Sequence, residues 1–213
     1  MRRARRHRNS HLARFGRTTS AGAMIPVSPL DADLMTSALL VIDMQQGLCT
    51  GEWAAHDIER VLQRINDLID RARAARVPVV LIQHEEAEGD LVHDTPGWQL
   101  VDGLHWRPDD PRVRKATPDS FYETELGQLL QKRGIDHLAI CGLQSDFCID
   151  TTVRHALALG YHVSLAGDAH STVDNDVLRA EQITTHHNWV LARLQAYGTR
   201  MEVVPAEHIR FGG

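Results

Sequence analysis

From Ala38 onward, short uninterrupted apolar runs alternate with stretches in which apolar residues recur every three or four positions. The first run, ALLVID from Ala38 to Asp43, is apolar at consecutive positions, as in a strand covered on both faces. After a loop, HDIERVLQRINDLIDRARAAR sets Ile58, Val61, Leu62, Ile65, Leu68 and Ile69 on one face of a helix. Pro78 opens a second strand, VVLIQH, and RVRKA is a short third. YETELGQLLQKRG reads as a helix stopped by Gly134, followed by the strand HLAICGL. CIDTTVRHALALG reads as a helix closed by Gly160, HVSLAGDA as a fifth strand, DNDVLRAEQITTHHNWVLARLQAYG as mostly helical, and RMEVVP as a last strand.

Strands separated by helices pair in parallel through right-handed crossovers. The pattern therefore predicts an α/β fold, a three-layer open, mostly parallel sheet of about six strands with helices on its faces. Ligands of such sheets sit beyond the carboxyl ends of the strands. By this rule Asp43 closes the first strand, His84 the second and Lys115 the third, Cys148 just follows the fourth, and Asp168 ends the fifth. No glycine-rich loop follows the first strand, so a dinucleotide site is unsupported.

A length of 213 residues with 43% hydrophobic content suits one sizeable core. The net charge of -5 hides an asymmetry, because the seven arginines before Asp31 have no acid among them. Residues 1–30 are expected to be a disordered basic tail, with Met24 a second candidate start, and residues 31–213 a single acidic domain. An acidic body argues against a nucleic-acid surface, and no run is long and apolar enough to span a membrane. Three cysteines, Cys49, Cys141 and Cys148, suit neither a disulfide framework nor a zinc knuckle, so a reducing cytoplasm is the simplest location.

Four side chains carry most of the candidate chemistry. Asp43 is either a cap for the next loop or a working acid at the sheet mouth. Lys115 is one of only two lysines beside 21 arginines, and an ammonium presents a compact charge that a guanidinium does not. Cys148 sits near a helix start, where free N–H groups favour a thiolate and could receive an oxyanion; its alternative is an inert buried thiol, the reading given to Cys141 and Cys49. His84 stands near the expected pocket. Thirteen histidines invite a metal site, but His186 and His187 are adjacent on a helix and diverge, and His84 with His93 is only a pair. No metal or other cofactor is expected.

These segments together resemble the isochorismatase-like cysteine hydrolases. The likeness rests on ALLVIDMQQGL, on the block from VRKATPDSFYE through ICGLQSDFCIDTTVRHALALGYHVSLAGDAHST, and on AEQITTHHN, covering about Ala38 to Val204. It implies the fold of that family, a catalytic triad of Asp43, Lys115 and Cys148, and a cis peptide at Leu143–Gln144 that aims backbone N–H groups, with that of Cys148, at the reacting carbonyl. Family members that cleave a vinyl ether typically lack the cysteine, so the resemblance favours hydrolysis of an amide, carbamoyl compound or cyclic amide through a thioester. The nicotinamidase Asp-x-His metal motif is absent from LIQHEEAEGDLVHDTPGWQL. QHEEAEGDLVHDTPGWQL and DAHST look closest to a branch that includes streptothricin hydrolase. His84, Trp98, Phe121 and His170 are the candidate pocket walls for a small-molecule substrate.

Three alternatives stand beside this reading: a vinyl ether hydrolase, a silent binding domain of the same fold, and a redox-sensing thiol protein. The resemblance also implies a homo-oligomer, dimer or tetramer, with active sites near its interfaces. Ile183, Trp189, Val190, Leu191 and Leu194 add a physical reason, since they offer more apolar surface than one sheet-packed face needs unless MIPVSPLDADLM covers it.

Overall fold

The computed structural model describes residues 36–195 and 197–211. The basic tail and the segment from Met24 to Met35 lie outside the described residues. The chain forms β1 (Ser37–Ile42), α1 (Gln46–Cys49), α2 (Ile58–Ala74), β2 (Val79–His84), β3 (Arg112–Lys115), α3 (Leu126–Lys132) and β4 (His137–Leu143). A π-helical turn (Ser145–Ile149) then leads into α4 (Asp150–Ala158), followed by β5 (His162–Ser171), α5 (Ala180–Leu191) and β6 (Met201–Val204). All neighbouring strands run parallel, in the order β3-β2-β1-β4-β5-β6.

Every residue of β1 and of β4 is buried, which is why both read as continuous apolar runs rather than alternating ones. Leu39 and Val41 face the layer that holds Ile65, Leu68 and Ile69 of α2. Ala38, Leu40 and Ile42 face the opposite layer, with Leu126 and Leu130 of α3 and Val153, Ala156 and Leu157 of α4. Each fully buried Leu or Ile contributes about 1.5–3 kcal/mol relative to exposure, so the two layers clamp the sheet from both sides.

Strand order also decides where the site lies. From β1 the chain moves outward to β2 and β3, then returns to pair β4 with the other edge of β1. The carboxyl ends of β1 and β4 thus flank a crevice between loops that leave in opposite directions. Asp43 follows β1, Lys115 ends β3, and Cys148 lies in the turn after β4.

Several boundaries differ from those the pattern predicts. The third helix begins only at Leu126, because the Thr124 hydroxyl bonds the Ser120 carbonyl at 2.6 Å and Glu123 adopts a left-handed φ of 54°. The last helix begins at Ala180, since Asp174 accepts from the Ala180 N–H at 2.8 Å and Asn175 accepts from the N–H groups of Val177 and Leu178. Those short polar side chains form turns and caps in preference to helix. The fifth strand runs on to Ser171, so Asp168 does not end it. Its carboxylate accepts from the Ala206 N–H at 2.6 Å and lies 3.4 Å from Arg64, away from the crevice.

Candidate active site

The backbone bends sharply where each candidate side chain leaves the sheet. Asp43 has a left-handed φ of 53°, a conformation that aspartate tolerates better than most residues, and its N–H still donates to the Ile82 carbonyl at 2.9 Å. At the end of β4 the register against β5 shifts, and Gly142 adopts a φ of 119°. A Cβ there would stand 2.0 Å from the Ile42 carbonyl oxygen, so only glycine lets β4 approach β1 this closely. The next peptide bond, Leu143–Gln144, is cis.

Lys115, Asp43 and Cys148 converge. The Lys115 Nζ donates to Asp43 Oδ2 at 2.7 Å and to Cys148 Sγ at 3.1 Å, and lies 3.2 Å from His84 Nδ1. The lysine side chain is 0% exposed and the aspartate 1%. An ammonium only donates, so all three of its hydrogens are spoken for, and His84 must accept through Nδ1 and carry its proton on Nε2. Burial first, and then the neighbouring Lys115 charge, lowers the His84 pKa below its ordinary value, which keeps the ring neutral. Burial by itself opposes the ammonium, yet the Asp43 carboxylate and the Cys148 sulfur hold the Lys115 pKa above the usual lysine value.

The sulfur behaves differently from the thiolate anticipated at a helix start. Burial, reinforced by the Asp43 carboxylate, pushes the Cys148 thiol up to about 12, so at rest it keeps its proton. Cys148 is the fourth residue of the π-helical turn and stands two residues before the start of α4. Its sulfur already accepts from Lys115, and the Oδ1 atom of Asp43 is buried with no hydrogen-bond partner. The arrangement can therefore pass the thiol proton to Asp43 while Lys115 keeps one counterion throughout. A cavity of about 590 Å³ opens onto this cluster, and its walls include Asp43, His84, Glu86, Gln144, Phe147 and Cys148.

The Isochorismatase domain family matches residues 37–201. The chain belongs to the isochorismatase family. Two streptothricin hydrolases of Streptomyces noursei are each 38% identical to it over 177 residues, covering 79% of this chain. The match spans 68% of one and 62% of the other, so this chain corresponds to about two thirds of those relatives' length. The ureidoacrylate amidohydrolase RutB of Caulobacter vibrioides is 26% identical over 224 residues, covering 85% of this chain and 100% of its own. The crystal structure of an isochorismatase from Pseudomonas putida KT2440 superposes with a TM-score of 0.75 at 27% identity, covering 82% of this chain and 90% of its own. This family of cysteine hydrolases includes amidohydrolases.

Of the four expected pocket walls in this isochorismatase-family chain, only His84 is among the residues that line the cavity. Trp98 is a buried residue of the β2–β3 connection, edge-on to His93 at 4.6 Å, and what it offers the site is its carbonyl, which accepts from Gln45 and Gln83. Phe121 packs in the same core cluster as Cys148 and stacks on Tyr161 at 5.8 Å. His170 is 2% exposed and stands behind the nucleophile turn. Its Nδ1 lies 2.8 Å from Ser145 Oγ and its Nε2 2.8 Å from Asn188 Oδ1. Asn188 donates through Nδ2 to the Gly167 carbonyl, so its Oδ1 accepts from His170 Nε2–H, and the Ser145 hydroxyl donates to Nδ1. His170 thus anchors the turn that carries Cys148, and burial lowers its pKa to about 4.

Three contributors escaped the sequence reading. Gln45 is fully buried, and its carboxamide clasps both the N–H and the C=O of His84 at 2.8 and 2.9 Å. A glutamine directly after a buried run is its only signal in the sequence. Glu86 reaches the cavity from the loop after β2 and Phe147 from the π-helical turn, and nothing in their spacing distinguishes them from ordinary surface residues. Among the described residues, no three His, Cys, Asp or Glu side chains gather as a metal ion would need, and no helix is long and apolar enough to cross a membrane.

Proposed function

We propose that the protein is a cysteine amidohydrolase that cleaves a C–N bond of a small amide, carbamoyl compound or cyclic amide through a thioester on Cys148. The observation that carries this reading is the buried contact of Lys115 with both Asp43 and Cys148, beside a carboxylate oxygen left without a partner. Asp43 takes the thiol proton as the sulfur attacks the carbonyl carbon, and the Lys115 ammonium exchanges a carboxylate counterion for a thiolate one. The buried charge stays constant through this exchange, which keeps its cost low in a site with little solvent to screen it. Backbone N–H groups of Gln144 and Cys148 receive the oxyanion, a contribution of about 2.7–4 kcal/mol for a well-placed donor. Asp43 then protonates the leaving nitrogen, and water attacks the thioester with the same carboxylate as base.

The streptothricin hydrolase likeness makes a lactam the first cyclic amide to try. The test is a screen of primary amides, carbamoyl compounds and lactams, with mass spectrometry of trapped acyl-enzyme on Cys148. The expected result is acylation at Cys148 by at least one class and none in Cys148→Ser. Turnover by Cys148→Ser above about a tenth of wild type would remove the nucleophile role.

A further inference from the structure

Charges around the cavity cancel in pairs, with one exception. Lys115 is matched by Asp43 at 2.7 Å, and Glu85 is matched by Arg114 through two bonds of 2.7 and 3.1 Å. Glu86, on the cavity wall and half exposed, has only His84 Nε2 near it, at 3.7 Å. That ring is neutral because Nδ1 is committed to the Lys115 ammonium, so Glu86 has no cation within 4.0 Å among the described residues. Its backbone is fixed by the bond from its N–H to the Leu91 carbonyl at 3.1 Å, so the carboxylate does not depend on a free loop for its place. Phe147, next to the nucleophile in sequence, lines the same cavity and is 53% exposed as a residue.

A free carboxylate and an open aromatic face on one cavity complement an ammonium by charge attraction and by the ring quadrupole. We propose that the cavity selects amides whose chain carries a protonated amine, the acyl end meeting Cys148 and the ammonium resting by Glu86 and Phe147. The proposal rests on the amidohydrolase reading for its acyl end only. A substrate bearing a carboxylate would meet Glu86 with no free cation to offset it.

Three probes of equal chain length test this: hexanamide, 6-aminohexanamide and adipic acid monoamide. Their binding to Cys148→Ala is measured by calorimetry at low and high salt, and their hydrolysis by wild type is followed separately. We expect 6-aminohexanamide to bind about three- to tenfold more tightly than hexanamide and the carboxylate probe to bind weakest. The preference should shrink with salt and fall at least threefold when Glu86→Gln is added. Equal affinities, no binding by any probe, or preference for the carboxylate would overturn the proposal. Selective binding of the amine with no acylation of wild-type Cys148 would instead sink the amidohydrolase reading and leave the cation site standing. Hydrolysis of all three at equal kcat/KM would do the reverse.

Discussion

Replacing Asp43 by asparagine removes one charge and keeps the side-chain shape, so it isolates the proton route. With the carboxylate present the thiol lies at about 12, and release of its proton to solvent at pH 7 would leave roughly one sulfur in 10⁵ as thiolate. Asp43 and Cys148 both touch the Lys115 ammonium. For two like charges about 5 Å apart at an effective dielectric of about 20, repulsion is about 3 kcal/mol, or about two pH units. Asp43→Asn should then lower the thiol pKa and raise the thiolate fraction at pH 7, while leaving no base in the site. Turnover should nevertheless fall by about 10²–10⁴, because both the base and the acid for the leaving nitrogen are gone. The assay is iodoacetamide alkylation of Cys148 between pH 6 and 9, read by mass spectrometry. In wild type the proton passes to Asp43 and never leaves the site, so the rate should be nearly flat with pH. In Asp43→Asn it should rise about tenfold per unit, since solvent must take the proton. Parallel tenfold slopes in both proteins would refute the transfer to Asp43.

Other consequences follow from the buried histidines and the surface. Burial lowers His137 and His170 to about 4 from an ordinary 6.5, so the unfolded chain binds more protons between those values. Stability should be complete above about pH 6.5 and fall as pH drops toward about 4, by at most about 1.4 kcal/mol per unit for each ring; urea melts of wild type and His137→Asn should show the slope and its reduction. His170→Leu leaves the Asn188 carbonyl oxygen without its His170 donor and the Ser145 hydroxyl with only Thr184 Oγ1, at 3.1 Å, and should cost about 2–4 kcal/mol in chemical denaturation while also lowering kcat. An unchanged kcat would show that the Cys148 turn holds without it. Chelators should leave activity unchanged, and complete loss with EDTA restored by zinc or manganese would bring His84 and His93 back as ligands. Sedimentation should give a species well above the 23.9 kDa chain mass. On α5, Ile183 and Leu191 are already buried within the chain, so the apolar excess is narrower than the sequence suggests and centres on Trp189, 58% exposed and stacked with Arg193. A strict monomer active at nanomolar concentration would exclude shared pockets.

Strand identity and order of chemistry were legible in the sequence because a strand covered on both faces has no choice but to be apolar throughout. ALLVID, VVLIQH and HLAICGL read as strands on that ground, and their carboxyl ends led to Asp43, His84 and Cys148, while Lys115 came from the end of the short, alternating RVRK strand. Where short polar side chains compete for backbone groups, as Thr124 and Asp174 do, periodicity overstated the helices. Only the tertiary structure decided the protonation state of the sulfur, since a pKa depends on which charges and how much solvent surround the atom, and neighbours in space are not neighbours in sequence. It likewise turned His170 from a wall into an anchor and Trp98 into a carbonyl acceptor, and it brought Glu86 and Phe147 onto one cavity. Side chains in loops and single turns carry no periodicity, so their aim is set by the packing that holds those segments and not by any pattern along the chain.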